Sequence, residues 1–346
     1  MPETIRPATG KAVWTAADLG DPAGLGSPFS KDEIAEMERV TDQARQRGIT
    51  AETAPDNLFD WPLVDRRMKQ VLAELRDGSG LALLTGLPTD RFGKDDLQLI
   101  FWGLGRSIGA AVPQSAKGDR LGQIRDMTHI DPNARAYQNR NELNPHTDHT
   151  EVVGLMCLRD AMEGGFTPLT NALAVHNEIL RQRPDLMERL YRGYRYHRRG
   201  EEQDGQEPIT PHRVPVFSRL GEAVSCRLIR PYIEAAAAEL GEPLSAADLT
   251  ALDLVQQTAR DPRFRLGLRL EPGSLVLFNN YTMFHERTPF TDWPEEDRKR
   301  HLVRMWLVPD DLRPVVPEIE LYGTKGGAIL RSGGPARSFG WGVGGQ

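Results

Sequence analysis

The stretch that most restricts how this chain can fold is Asn144-Pro145-His146-Thr147-Asp148-His149-Thr150-Glu151. It runs straight into the apolar residues Val152, Val153, Gly154, Leu155, Met156, Cys157 and Leu158. A short β-branched run preceded by alternating polar residues reads as a strand, and a strand sends alternate side chains to opposite faces. His146 and Asp148 then share one face, and Thr147 and His149 the other. An imidazole and a carboxylate so placed can chelate one divalent ion, but two ligands do not close a site. The best third ligand is His285, in Phe278-Asn279-Asn280-Tyr281-Thr282-Met283-Phe284-His285-Glu286-Arg287-Thr288-Pro289. Two histidines and one carboxylate leave open positions on the metal, which suits non-haem Fe(II) chemistry.

A His-x-Asp tripeptide recurs by chance, so its weight comes from what accompanies it. Downstream of His285 lies Arg298-Lys299-Arg300-His301-Leu302-Val303-Arg304-Met305-Trp306-Leu307, a strand-like run with Arg300 and Arg304 on one face. A guanidinium buried on a strand needs an anion to pair with. After Asp148 comes Gly164-Gly165-Phe166-Thr167-Pro168, a turn that offers a hydroxyl.

In this order the elements resemble the Fe(II)- and 2-oxoglutarate-dependent dioxygenases of the taurine dioxygenase (TauD/TfdA) family, over about residues 80 to 310. The resemblance implies a mainly β fold with flanking helices (α+β), built on a double-stranded β-helix, or jelly-roll, core. It implies Fe(II) held by His146, Asp148 and His285, with 2-oxoglutarate and O2 as cosubstrates and succinate and CO2 released. Arg300 matches the family's clamp for the far carboxylate of 2-oxoglutarate, and Thr167 its assisting hydroxyl. Pro168 makes the alignment of Thr167 less secure, and Thr170 could serve instead. Arg304 matches the arginine that takes the substrate anion in the taurine enzyme; its other reading is an internal ion pair. Tyr137, Asn279 and Tyr281 are candidate wall residues of the substrate pocket. The implied reaction is hydroxylation of an unactivated C–H bond of a small, anionic or amino-acid-like metabolite. Desaturation or cyclisation would use the same residues. Outside this chemistry the alternatives are a zinc-dependent hydrolase, which does not need Arg300 and Thr167 to converge on an anion, and a non-catalytic jelly-roll binding protein.

The bulk properties agree with a small-molecule enzyme. A net charge of −6 argues against nucleic-acid or anionic-membrane partners, which favour basic surfaces. No apolar run reaches membrane-spanning length, and the start of the chain lacks a signal-peptide core. Two cysteines in apolar runs read as buried thiols in a reducing compartment, so a cytoplasmic location is expected. Whether the chain forms homo-oligomers is left open.

Along the chain, residues 1 to about 28 are expected to wander over the surface. Ser30-Lys31-Asp32-Glu33 has capping-box form at the start of a helix. Further helices are expected over about 63–75 and 94–108, with a strand at 81–88 between them. Residues 169–181, 184–192, 232–240 and 245–260 read as helical, and 121–127, 225–230, 266–270 and 274–278 as strands. The basic cluster Arg192, Arg195, Arg198 and Arg199 is a solvated face or a lid over an anionic substrate, and 203–215 a mobile loop. The expected organisation is an N-terminal extension over 1–60 packed on the core, a catalytic domain over 61–312 with a helical insertion around 170–262, and a Gly-rich tail over 313–346.

Overall fold

A computed structural model describes residues 5–115, 117–127, 138–203 and 205–323. Tyr137 and the end of the Gly-rich tail lie outside the described residues.

Three long apolar strands form the middle of the larger sheet: Leu275–Asn279, Val152–Arg159 and His301–Val308, mutually antiparallel in that order. Each reads as a continuous apolar run because both faces are buried. Val153, Leu155, Cys157, Val276, Phe278, Leu302 and Trp306 fill the space between the two sheets. Val152, Met156, Leu158, Leu275, Leu277, Val303, Met305 and Leu307 instead pack against the N-terminal helices. Those helices, Lys31–Arg47, Pro62–Asp77 and Lys94–Arg106, stand close to where their apolar periodicity put them. The first is capped reciprocally: Glu33 N donates to Ser30 Oγ at 3.2 Å and Ser30 N to Glu33 Oε2 at 2.7 Å. Where helix Lys94–Arg106 crosses the sheet the approach at Gly154 is close: a Cβ would sit 3.1 Å from the Phe101 ring, and Phe101 would have to give way.

The smaller sheet runs Arg265–Leu268, Thr167–Asn171, Met283–Arg287, Leu143–His146, all antiparallel. It faces the larger one, and together they make the double-stranded β-helix. Between Asn171 and Arg265 the chain leaves the core to form helices Ala172–Gln182, Pro184–Arg192, Arg230–Leu240 and Ala246–Ala259, with the hairpin Phe217–Leu220/Ala223–Cys226. Among the described residues, no helix is long and apolar enough to cross a membrane.

Three local expectations are corrected. Residues 169–171 are strand and the helix starts at Ala172, because Asn171 serves as its cap, accepting a bond from Ala174 N at 2.8 Å. The segment expected to wander is tied down: Trp14 is 3% exposed in the hydrophobic core and donates to Ser79 O, while Ala8 exchanges two hydrogen bonds with the Asn177 amide. Strand Leu143–His146 ends at His146, so Asp148 stands in a loop, not on a strand. That loop carries the chain from the smaller sheet to the larger.

Candidate metal centre

His146 and His285 are brought together by sheet register. They are Cα partners on strands Leu143–His146 and Met283–Arg287, and their rings lie 4.2 Å apart between centroids. Two residues after the strand ends, the Asp148 carboxylate turns back, Oδ2 standing 3.7 Å from His285 Nε2. One ligand atom from each of the three residues lies within 4.8 Å of the others.

The protonation states suit a cation. Burial holds both imidazoles below their usual range, His285 down to about 3. His146 Nδ1 lies 2.8 Å from Asn144 O, which fixes the proton there and leaves Nε2 as the ligand atom. Burial alone would raise the Asp148 carboxyl, but Arg304, the two imidazoles and the Trp306 indole outweigh it and hold the group well below the usual carboxylate range. The result is two neutral nitrogen donors and one ionised oxygen donor.

Arg300 is 2% exposed, on the inward face of His301–Val308 just before that strand begins. Its Nη2 donates to Gly165 O at 3.2 Å and its guanidinium lies 5.0 Å over the Phe290 ring, but Nε and Nη1 have no hydrogen-bond partner among the described residues. Two unpartnered donors on a buried cation are costly unless an anion completes them, and a carboxylate has the two-pronged shape that fits. Thr167, beyond the Gly164–Gly165 turn, is buried, and its hydroxyl makes no hydrogen bond among the described residues. The Thr170 hydroxyl is taken by Ala259 O at 2.8 Å, which removes it as a substitute for Thr167.

Arg304 has an internal partner. Its Nη1 lies 3.2 and 3.1 Å from the two oxygens of Asp148, its Nε donates to Gln114 Oε1 at 2.7 Å, and its guanidinium stacks 4.9 Å from the Trp306 ring. Trp306 Nε1 in turn donates to Asp148 Oδ2 at 2.8 Å. Asn279 and Tyr281 do not offer their polar groups to the metal cluster. The Asn279 amide bonds Leu75 O and Tyr281 N, and the Tyr281 hydroxyl donates to Glu320 Oε1 at 3.0 Å. Sequence reasoning missed Trp306, Gln114 and Asn280. Trp306 had a signal, since it follows Arg304 by two positions and must share its face; Gln114 had none.

The model of the taurine catabolism dioxygenase TauD, TfdA family matches residues 41–306. The chain belongs to the TauD/TfdA family. FR-33289 synthase of Streptomyces rubellomurinus is 29% identical over 308 residues, 87% of this chain and 90% of that protein. Among solved structures, asparagine oxygenase in complex with Fe(II), 2S,3S-3-hydroxyasparagine and succinate superposes with a TM-score of 0.64 at 15% identity, covering 82% of this chain and 93% of the other. The non-heme iron oxygenase OrfP in complex with Fe and alpha-ketoglutaric acid gives 0.55 at 14% identity, covering 83% and 95%. As a TauD/TfdA protein the chain is a non-haem dioxygenase using Fe(II), 2-oxoglutarate and O2.

Proposed function

We propose that this TauD/TfdA dioxygenase hydroxylates an unactivated C–H bond of a small, amino-acid-like or otherwise anionic metabolite. In the balanced reaction, substrate, 2-oxoglutarate and O2 give hydroxylated product, succinate and CO2. The observations that carry this reading are the cluster of His146, Asp148 and His285 and the buried Arg300, whose Nε and Nη1 lack a partner among the described residues. His146, Asp148 and His285 would hold Fe(II), which supplies the C–H oxidation. Arg300 would take the far carboxylate of 2-oxoglutarate, with Thr167 completing it.

The substrate class is supported by relatives. The solved complexes hold hydroxylated asparagine and hydroxylated arginine, both amino acids. Arg304, which reaches the Asp148 carboxylate at 3.1 Å, is a buried cation beside the metal ligands that an acidic substrate group would engage in competition with Asp148.

The test is anaerobic addition of Fe(II) and 2-oxoglutarate to metal-free protein, followed by O2 and a panel of amino acids and small acids. A weak visible charge-transfer band and succinate formation that rises with one panel member are expected. No band, together with tight zinc binding and hydrolysis, would replace this reading with the zinc hydrolase.

A further inference from the structure

Asp148 lies outside both sheets, so its backbone N–H and C=O have no ladder partner and must find one elsewhere. One side chain supplies both. Asp148 N donates to Asn280 Oδ1 at 3.0 Å, and Asn280 Nδ2 donates to Asp148 O at 2.9 Å and to Thr150 O at 2.6 Å. Asn280 N also donates to Glu151 O at 2.8 Å. Arg227 Nη1 adds a second donor to Asp148 O, with its guanidinium 5.1 Å over the Tyr281 ring.

Asn280 is fully buried, in the turn between strands Leu275–Asn279 and Met283–Arg287, five residues before His285. The segment that delivers His285, crossing from the larger sheet to the smaller, thus fixes His146 by strand register and Asp148 through Asn280. We infer that Asn280 is a positioning residue for the metal centre, setting the Asp148 loop so that its carboxylate meets the two imidazoles before any ion arrives. The inference rests on the metal-site reading of His146, Asp148 and His285.

The chemistry of the position demands a carboxamide. The loop presents one donor and two acceptors, and asparagine is the short side chain with an acceptor and two donors in one plane. Aspartate would keep the acceptor for Asp148 N but set its second oxygen against two carbonyls. Alanine would leave Asp148 N and Thr150 O without the bonds Asn280 gives them, and Asp148 O with Arg227 alone. Outer residues that orient a metal ligand typically change metal affinity about 10- to 100-fold.

The experiment measures Mn(II) affinity by electron paramagnetic resonance, and the Co(II) d–d spectrum, for wild type, Asn280→Asp and Asn280→Ala. The control is Asn171→Ala, another fully buried asparagine, whose side chain bonds Ala174 N and Ala12 O among the described residues. We expect both Asn280 variants to bind Mn(II) at least tenfold more weakly with shifted Co(II) bands, and the control to lose thermal stability while keeping wild-type affinity and bands. If Asn280→Ala does not fold, Asn280→Ser, which retains one hydrogen-bonding group, carries the test. Wild-type affinity and unshifted bands in the Asn280 variants, whatever their stability, would overturn the inference alone. A wild type that takes up neither ion would overturn the metal-site reading with it.

Discussion

Arg304→Met separates the two roles open to this arginine, and the structure sets the size of the effect. Arg304 is 7% exposed and Asp148 6%, and Nη1 reaches both carboxylate oxygens, so the pair is desolvated and bidentate on the acid side. Methionine keeps most of the length and packing against Trp306 but leaves Asp148, among the described residues, with the Trp306 indole as the one side-chain donor on its carboxylate. Breaking a buried pair from one side costs about 3 to 5 kcal/mol. In the metal-free protein we expect urea unfolding to show a loss of that order. With Mn(II) bound, the ion supplies the positive charge that Asp148 has lost, so the loss should shrink to about half or less. By linkage, the variant then gains relative metal affinity equal to the difference between the two losses. Equal losses with and without Mn(II) would refute this, since they would mean the arginine does not act on the metal carboxylate. A variant with unchanged stability in both states, but weakened binding of an acidic substrate, would return Arg304 to the pocket wall.

Arg300→Ala should raise the 2-oxoglutarate KM by an amount corresponding to about 2 to 5 kcal/mol, and Arg300→Lys should recover only part of it, because an ammonium lacks the two-pronged fork; steady-state kinetics checks both. Gly165→Ala should act on the same site: Gly165 has φ 70°, and a Cβ there would stand 2.9 Å from Arg300 Nε, so we expect a loss of about 1 to 2 kcal/mol in stability and a raised KM for 2-oxoglutarate. Away from the site, Glu178 accepts bonds from Arg181, Gln182 and Arg263, which pull its carboxyl from 4.5 down to about 2. A depressed carboxyl contributes stability above its unfolded value that is lost as pH falls through the folded one. Glu178→Gln should therefore cost about 1 to 3 kcal/mol at pH 7, with the difference from wild type closing between about pH 4.5 and 2 in urea titrations.

Some of this was legible in the sequence because it depends on neighbours along the chain. The helices after Ser30 and from Lys94 follow from a cap and a period, and the central strands from apolar runs buried on both faces. Helix existence survived where boundaries did not: Leu169–Asn171 looked helical because the residues after it are, while the strand pairing of Leu169 with Leu266 and His285 is invisible in the local sequence. Trp14 gave no sign of its place in the core, since the apolar residues near it that pack on the same core, Ile5, Leu19 and Leu25, are only partly buried and follow no helix or strand period.

The site divides the same way, and the division has a physical origin. Ligand identity could be read from residue types in order, but the strand assumed for His146 and Asp148 is not how they meet. A metal centre at the crossing between two sheets needs a backbone free of both ladders, so that a carboxylate can turn toward an imidazole on the neighbouring strand. That freedom leaves peptide groups without ladder partners, and each must find one elsewhere. Asn280 answers Asp148 and Thr150, the Thr147 hydroxyl accepts from Leu228 N at 3.1 Å while Thr147 N donates to Leu228 O at 2.9 Å, and the Thr150 hydroxyl donates to Leu307 O at 3.0 Å. These partners lie on the His285 turn, in the insertion and on the last strand, between 81 and 157 residues away. The loop that carries the metal carboxylate is thus held by long-range bonds, most of them through side chains, and not by its own strand, and for that reason substitutions at Asn280 should be felt at the metal while those at Asn171 should not.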